Sequence, residues 1–243
     1  MTKIYDFEVL DRCLYWKKKK TLIIGDLHLG YESSLSERGY SVPRTQKEEN
    51  YDILRKIIEK LKNKIERIIF LGDIKHYFGG IFRQEFEDFE NLIKFIEKEL
   101  GTKPPIVITK GNHDNMLQPI LANYKNIRLV DYLLEEKRLF VHGDSESTKK
   151  CYEIIKSNRC KLVVLGHFHP AFVLKDKKGV KEEKFKCFLY GYSNEFRKEV
   201  IFVPSFFPLI EGSDVIKDLE IYEKGMKILA ITTDGKNYLF DKI

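Results

Sequence analysis

The segment Pro105-Ile106-Val107-Ile108-Thr109-Lys110-Gly111-Asn112-His113-Asp114 decides how this chain is interpreted. Its first half is a run of apolar and β-branched residues, which is typical of a short buried strand. The run stops at a glycine, and three polar residues follow. In α/β folds, ligands bind beyond the carboxyl ends of the strands, so this strand end is a candidate functional site.

The same pattern recurs where other apolar runs end. Strands are predicted at 21–25, 67–71, 137–141 and 161–165. Asp26 and His28 follow the first of these strands, and Asp73 and His76 follow the second. His142 follows the third, and His167 and His169 follow the fourth. All six histidines of the chain therefore lie at or beside strand ends. This distribution favours one shared site over six separate structural roles.

Composition restricts the class of protein. The chain has 243 residues, 43% of them hydrophobic, and a formal net charge of +6. These values indicate a folded protein, which we interpret as a single domain spanning 1–243, and the charge weakly favours polyanionic partners. There is no apolar run long enough to cross a membrane and no recognisable secretory signal. The four cysteines show no CxxC spacing, so we predict a cytoplasmic protein with reduced thiols.

The order of predicted elements indicates an α/β fold. Amphipathic helices are predicted at 46–62 and 82–100, between the first strands. This strand–helix alternation predicts a mostly parallel sheet covered on both faces by helices. After a helix at 147–157 the chain is mostly strands, which predict a second, largely antiparallel sheet packed on the first. Two short strands are also predicted within 6–16. The remaining predicted strands are 126–130, 171–175, 184–190, 198–203, 219–222 and 227–232.

Two segments allow alternative interpretations. The run Lys17 to Lys20 is either a solvated hairpin turn or a patch that follows phosphates. Residues 31–45 lack periodicity and predict a surface loop near the site, or a lid. Arg44 in that loop is a candidate phosphate contact, although a loop arginine can equally be only solvated.

The residues at the strand ends have the chemistry of a metal site. Carboxylates and imidazoles without thiolates suit manganese, iron, nickel or zinc better than calcium or magnesium. Two ions about 3.5–4 Å apart can activate a bridging water and neutralise a phosphoryl group. Asp73, alone at its strand end, is the natural bridging carboxylate.

The whole set resembles the calcineurin-like metallophosphoesterase superfamily. The matching motifs are Asp26-x-His28, Gly72-Asp73, Gly111-Asn112-His113-Asp114, His142 and Gly166-His167-x-His169. The resemblance implies an αββα fold, in which a two-sheet sandwich is flanked by helices, and two divalent ions. It implies that one ion is held by Asp26, His28, Asp73 and His169, and the other by Asp73, Asn112, His142 and His167. His113 would then be the general acid, with Asp114 orienting its ring, and a metal-bridging hydroxide would attack.

The second motif bears on the branch of the superfamily. The segment Gly72-Asp73-Ile74-Lys75-His76 lacks the arginine that protein phosphatases carry there. The Asp26-Leu27-His28-Leu29-Gly30 opening and His76 are similar to the archaeal SbcD-related and DNA-ligase-associated phosphoesterases; Pro204 to Val215 also resembles a C-terminal stretch of one branch. In that branch His76 would contact substrate or leaving group; alternatively it is only packed beside the site.

The resemblance leaves three functions open. The first is a manganese-dependent phosphodiesterase acting on a phosphodiester substrate, in particular single-stranded DNA or RNA. The second is a phosphomonoesterase or small-nucleotide hydrolase using the same metal centre. The third is a non-catalytic metal-bound scaffold. Because every expected ligand is present, the sequence favours an enzyme.

Overall fold

The structure is a computed structural model that describes residues 2–37, 39, 46–61, 64–78, 83–175, 182–218, 221–232 and 236–240. Arg44 lies outside these ranges, as do Lys178-Gly179 and Asp234-Gly235, where the sequence predicts turns between strands.

The first sheet comes from the first half of the chain. Its seven described strands follow one another in sequence order across the sheet, β1 to β7. β1 to β4 pair antiparallel, whereas β4 to β7 run parallel because helical crossovers separate β4, β5 and β6. The strands are β1 (Lys3–Ile4), β2 (Phe7–Leu10), β3 (Cys13–Trp16), β4 (Thr21–Ile24), β5 (Arg67–Phe70), β6 (Ile106–Thr109) and β7 (Ile127–Val130).

The second sheet is mixed. Its order is β14-β11-β12-β13-β10-β9-β8, and β15 and β16 extend it from β12. β10 is parallel to both β9 and β13, while the hairpins around it are antiparallel. The strands are β8 (Tyr132–Glu135), β9 (Arg138–Val141), β10 (Leu162–Leu165), β11 (Pro170–Lys175), β12 (Glu182–Ser193), β13 (Lys198–Phe202), β14 (Ser213–Asp214), β15 (Lys227–Ile231) and β16 (Asn237–Phe240).

Helices cover the outer faces of the two sheets. α2 and α3 pack on the first sheet, and α5 packs on the second. The described helices are α1 (Tyr31–Glu37), α2 (Gln46–Leu61), α3 (Arg83–Leu100), α4 (Gln118–Leu121) and α5 (Ser145–Lys156). No described helix combines the length and the apolar character that crossing a bilayer requires.

Side-chain alternation along the strands creates the layers. In β4, Leu22 and Ile24 face the helices, whereas Ile23 faces the second sheet and joins a cluster with Phe140 and Val164. The predicted two-sheet sandwich flanked by helices is therefore confirmed. The narrower prediction that helices cover both faces of the first sheet is wrong, because the second sheet covers its inner face.

Several local predictions need correction. Residues 31–37 form helix α1, not the loop predicted for 31–45. β8 and β16 were not predicted, and residues 221–222 are not in a strand. The lysine run forms a short 3₁₀ turn between β3 and β4, and its side chains pair with Glu66, Glu135 and Glu136. These contacts favour the solvated-turn interpretation over a phosphate patch.

Candidate metal centre

Five strand ends meet at one edge of the sandwich. β4, β5 and β6 are parallel neighbours in the first sheet, and β9 and β10 are parallel neighbours in the second. The carboxyl ends of parallel neighbours lie at the same edge of a sheet, so polar residues just beyond them converge. This arrangement brings together every predicted site residue except Arg44, which lies outside the described ranges.

The converging side chains form three groups of possible metal donors: His28 with His76 and His113, and two further groups that each include a carboxylate. The first of these two contains Asp26, His28 and His169; the second contains Asp73, His142 and His167. Within each group the ligand atoms lie within 4.8 Å of one another. Two groups of imidazole and carboxylate donors are the arrangement that a pair of divalent ions requires.

Asp73 belongs to the second of these groups and also lies close to the first. Its Oδ2 is 3.8 Å from Nε2 of His28 in the first group and 3.3 Å from Nε2 of His142 in the second. Asn112 joins the second group, with its Oδ1 3.1 Å from Nε2 of His142. One carboxylate within reach of both groups is what a shared ligand requires.

Glycines allow the loops to approach this closely. A Cβ atom on Gly111 would lie 2.2 Å from Oδ1 of Asp73, and one on Gly166 would lie 2.7 Å from Oδ2 of Asp26. Side chains at these positions would collide with the donor carboxylates. The two glycines therefore let the loops after β6 and β10 pack directly against the carboxylates.

The backbone of four donors is left-handed. His28, Asp73, His167 and His169 have φ angles of +45°, +45°, +62° and +43°. For residues other than glycine this conformation costs of order 1–3 kcal/mol each, and it persists only where surrounding contacts enforce it. Hydrogen bonds supply such contacts, since the amide of His28 donates to the Asp73 carbonyl at 2.9 Å. The surrounding contacts therefore hold these four donors in place, although seven other described non-glycine residues also have a positive φ.

The charges of the site favour bound cations. The carboxylates of Asp26 and Asp73 are 0% and 2% exposed, and burying such charges is costly without compensation. Burial opposes ionisation, yet neighbouring histidines lower the pKa of both carboxyl groups. Although burial would lower the pKa of His142, its hydrogen bond to Asp73 and the charge of Asp26 raise it to about 10. Both buried carboxylates and the imidazoles around them favour positive charge at this place, so these residues fit a metal pair.

His113 lies beside the donor groups with its ring held by main chain. Its Nδ1 contacts the carbonyl oxygen of His76, and its Nε2 is 4.0 Å from Oδ2 of Asp73. The carboxylate of Asp114 accepts hydrogen bonds from the amides of Ile74 and Gly111, at 2.8 and 2.9 Å, and its role in orienting the His113 ring stays a prediction. Asp114 therefore ties two site loops together, and Nδ1 of His113 is held by the His76 carbonyl.

His76 also reaches the site with its side chain. Its Nδ1 is 3.4 Å from Nδ1 of His28, and its ring stacks on that of His113 with the centroids 5.4 Å apart. Tyr31 of α1 packs edge-on against the His76 ring, with the centroids 4.6 Å apart. The position fits both a role in substrate contact and a packing role.

The loop after β13 supports the site and was not assigned this role by sequence. The amide of Phe206 donates to the Asp26 carbonyl at 2.9 Å. Nζ of Lys186 lies 2.7 Å from each of the carbonyl oxygens of Ser205, Phe207 and Ile210, which fixes the loop against Asp26. No sequence pattern marks Lys186 for this role, because its partners are main-chain atoms.

Comparison with known proteins places this site in a family. A profile described as Calcineurin-like phosphoesterase matches residues 19–202, which is most of the chain and contains every donor in both groups. The chain belongs to the calcineurin-like phosphoesterase family. Members of this family are metal-dependent phosphoesterases, so the chain is a phosphoester hydrolase with a divalent-metal site.

The solved structures that match this chain are distant in sequence. The nuclease MPE of Pseudomonas putida matches with a TM-score of 0.63 and 17% identity, over 95% of this chain and 93% of that one. At this identity the likeness establishes the fold alone. A Thermotoga maritima protein solved by NMR matches with a TM-score of 0.35 and 13% identity, over 91% of this chain and 97% of that one. A search of curated proteins found no match.

Proposed function

We propose that this phosphoesterase is a two-metal phosphodiesterase that cleaves single-stranded nucleic acid, acting in the cytoplasm as one domain spanning 1–243. The observation that carries the proposal is the pair of donor groups on either side of Asp73, with His113 beside them. The four cysteines are free and buried, which accords with a reducing compartment.

The donor groups divide into two sets of ligands. Asp26, His28 and His169 would hold one ion; Asn112, His142 and His167 would hold the other; and Asp73 would contact both. When bound, two divalent ions supply positive charge to the phosphoryl oxygens and activate the attacking water. The imidazole and carboxylate donors favour manganese, with iron, nickel or zinc as the alternatives to test.

His113 supplies the proton that the leaving group needs. As the oxygen of water bonds to phosphorus, the bond to the leaving oxygen breaks and that oxygen takes the proton from Nε2 of His113, while the proton lost by the water passes to solvent. Because Nδ1 donates to the His76 carbonyl, Nε2 is the atom available for this transfer. The side chain is 23% exposed, so a substrate can reach it.

A groove beside the second donor group supports an extended substrate. It has a volume of 690 Å³ and runs from His167 along α5, where Lys149 and Tyr152 line it. The Tyr152 ring is 47% exposed, and Nζ of Lys156 lies 3.9 Å from its centroid. Positive charge beside an exposed aromatic ring suits a single strand, whose bases stack while its phosphates pair with lysine.

A second exposed ring lies beside His113. Phe78 is 56% exposed and packs edge-on against His113, with the centroids 5.5 Å apart. The base of a leaving nucleoside would emerge beside this ring. One exposed ring beside His113 and another in the groove next to His167 accommodate a diester, which continues in both directions from the scissile phosphate, better than a monoester.

The proposed activity is tested by comparing a chromogenic phosphodiester with the matching monoester in the presence of manganese, using Asp73→Asn as the blank. We expect at least about tenfold higher kcat/KM on the diester, because the open site accommodates a substituent on both sides of the phosphate. Equal or greater activity on the monoester would overturn the nuclease interpretation and indicate a small-molecule phosphatase.

Replacing Tyr152 with alanine tests the groove. Loss of one stacking contact, about 1–3 kcal/mol, should weaken binding of a single-stranded oligonucleotide roughly 5- to 150-fold. Hydrolysis of the small chromogenic diester should not change, since that substrate does not reach α5. The control is Tyr238→Ala on β16, a tyrosine that is 52% exposed in a separate depression with Thr2 and Val9. Equal oligonucleotide affinity of the two variants would remove the groove from the substrate path.

A further inference from the structure

A carboxylate is buried at the start of α3, behind the candidate centre. Glu85 lies in the first turn of the helix and is 1% exposed. It shares the buried face of α3 with Phe89 and Leu92. Burying a carboxylate among apolar side chains costs several kcal/mol unless hydrogen bonds compensate. The contacts of Glu85 therefore indicate why the charge is there.

Glu85 holds the main chain of the loop after β5. Its Oε1 accepts hydrogen bonds from the amides of His76 and Tyr77, at 3.1 and 2.6 Å. Lys75, also 1% exposed, donates through Nζ to the carbonyl of Tyr77. Two buried, oppositely charged side chains thus fix three consecutive residues of this loop.

The loop after β4 is shaped to admit Glu85. Gly30 has a φ of +85°, and a Cβ atom there would lie 2.5 Å from Cγ of Glu85. The carbonyl of the preceding residue, Leu29, also accepts from the amide of His76 at 2.9 Å. The His76 amide is therefore bound by the loop after β4 and by the first turn of α3 together.

The fixed loop in turn holds the ring of His113. The carbonyl oxygen of His76 is the group that Nδ1 of His113 contacts. A carbonyl can only accept, so this contact requires the proton of Nδ1 and leaves Nε2 to carry the transferable proton. Any shift of the His76 peptide would release the ring from this orientation.

We propose that Glu85 is a positioning residue for the general acid, acting on His113 through the His76 main chain. The inference rests on the proposed role of His113. The contacts of Glu85 that carry the inference are the hydrogen bonds that it accepts from the main-chain amides of His76 and Tyr77. Its effect should therefore appear only in the step that protonates the leaving oxygen.

The test compares two diesters that differ in the leaving group, a dinucleotide and a 4-nitrophenyl ester. Glu85→Ala should lower kcat on the dinucleotide roughly 10- to 100-fold, the range for losing a group that orients an active-site residue. On the nitrophenyl ester, which leaves without a proton, it should lower kcat at most about threefold. Glu85→Gln keeps the volume and an acceptor oxygen, and should recover most of the activity. The control is Glu87→Ala on the solvent side of α3, where Glu87 is paired with Arg83.

A double-mutant cycle separates positioning from general support of the fold. In a His113→Asn background, Glu85→Ala should cost nothing further on the dinucleotide, because the residue it positions is gone. Metal stoichiometry should match the parent, and the imidazole NMR signal of the His113 Nδ1 proton should broaden or disappear in Glu85→Ala. Equal losses on both diesters, or fully additive losses in the cycle, would overturn the inference.

The same substrates distinguish the inference from the proposed function. If the loss of kcat in His113→Asn is the same for both leaving groups, the assignment of His113 as general acid is wrong. If the loss in His113→Asn depends on the leaving group and the loss in neither Glu85 variant does, the general acid stands and only the role of Glu85 is rejected.

Discussion

Replacing Asp73 with asparagine is expected to lower the rate of hydrolysis of the chromogenic diester by more than about 100-fold. This loss is larger than the roughly 10- to 100-fold loss that is usual when a residue that only orients a metal ligand is removed. Oδ2 of Asp73 lies 3.8 Å from a nitrogen of the first donor group and 3.3 Å from one of the second. Asparagine keeps the shape and removes the charge that would hold both ions. Metal analysis of the purified variant should find at most one ion per chain, against two in the parent.

The matched control is Asp131→Asn. Asp131 lies in the depression that Asn112 lines, but its carboxylate is 49% exposed and pairs with Lys150. This variant should keep both ions and full activity. In the parent, a chelator should abolish activity and added manganese should restore it. An Asp73→Asn variant that retains two ions and turnover would show that Asp73 is not the shared ligand.

The donors could be predicted from sequence because each is part of a local pattern. A buried strand such as Thr21–Ile24 is recognisable from its apolar run, and the residues just beyond it must lie at the edge of the sheet. Parallel pairing then brings Asp26 and Asp73 to the same place without further information. The periodicity of α3 was equally local, and the helix occupies Arg83–Leu100 against a prediction of 82–100.

The contacts that support the site could not be predicted in this way. Helix α1 was missed because its sequence, Tyr31-Glu32-Ser33-Ser34-Leu35-Ser36-Glu37, has almost no apolar face. It is stabilised by tertiary contacts, since Tyr31 packs on His76 and, at 5.8 Å, on Phe207. The contacts of Asp114 could not be predicted for a related reason, because the groups that its carboxylate binds are main-chain amides.

Glu85 did carry a sequence signal that was not used. It precedes Phe89 by four residues and so lies on the apolar face of α3. A charged residue at such a position is strongly destabilising unless it has a partner, and it is therefore a candidate for a structural or functional role. The sequence could mark Glu85 as unusual, but only the fold reveals that it binds the His76 main chain.

Replacing His113 with asparagine should separate protonation from metal binding. Neither of the two donor groups that meet around Asp73 includes His113, so the variant should keep the metal content of the parent. On a dinucleotide, whose leaving alkoxide needs a proton, turnover should fall about 10²- to 10⁴-fold, the usual contribution of a general acid. The measurement is kcat in manganese, beside metal analysis of the same preparation.

The internal control is the 4-nitrophenyl diester, whose leaving group is stable as an anion. His113→Asn should lower its turnover by less than about tenfold, because protonation adds little when the leaving group is already stable. Equal losses on both substrates would mean that His113 holds the phosphate or a metal ion. The third possible donor group, His28 with His76 and His113, makes that outcome chemically reasonable. The metal content of the variant then distinguishes these two explanations. If His113→Asn loses an ion, His113 is a metal ligand; if the variant keeps both ions, His113 contacts the phosphate.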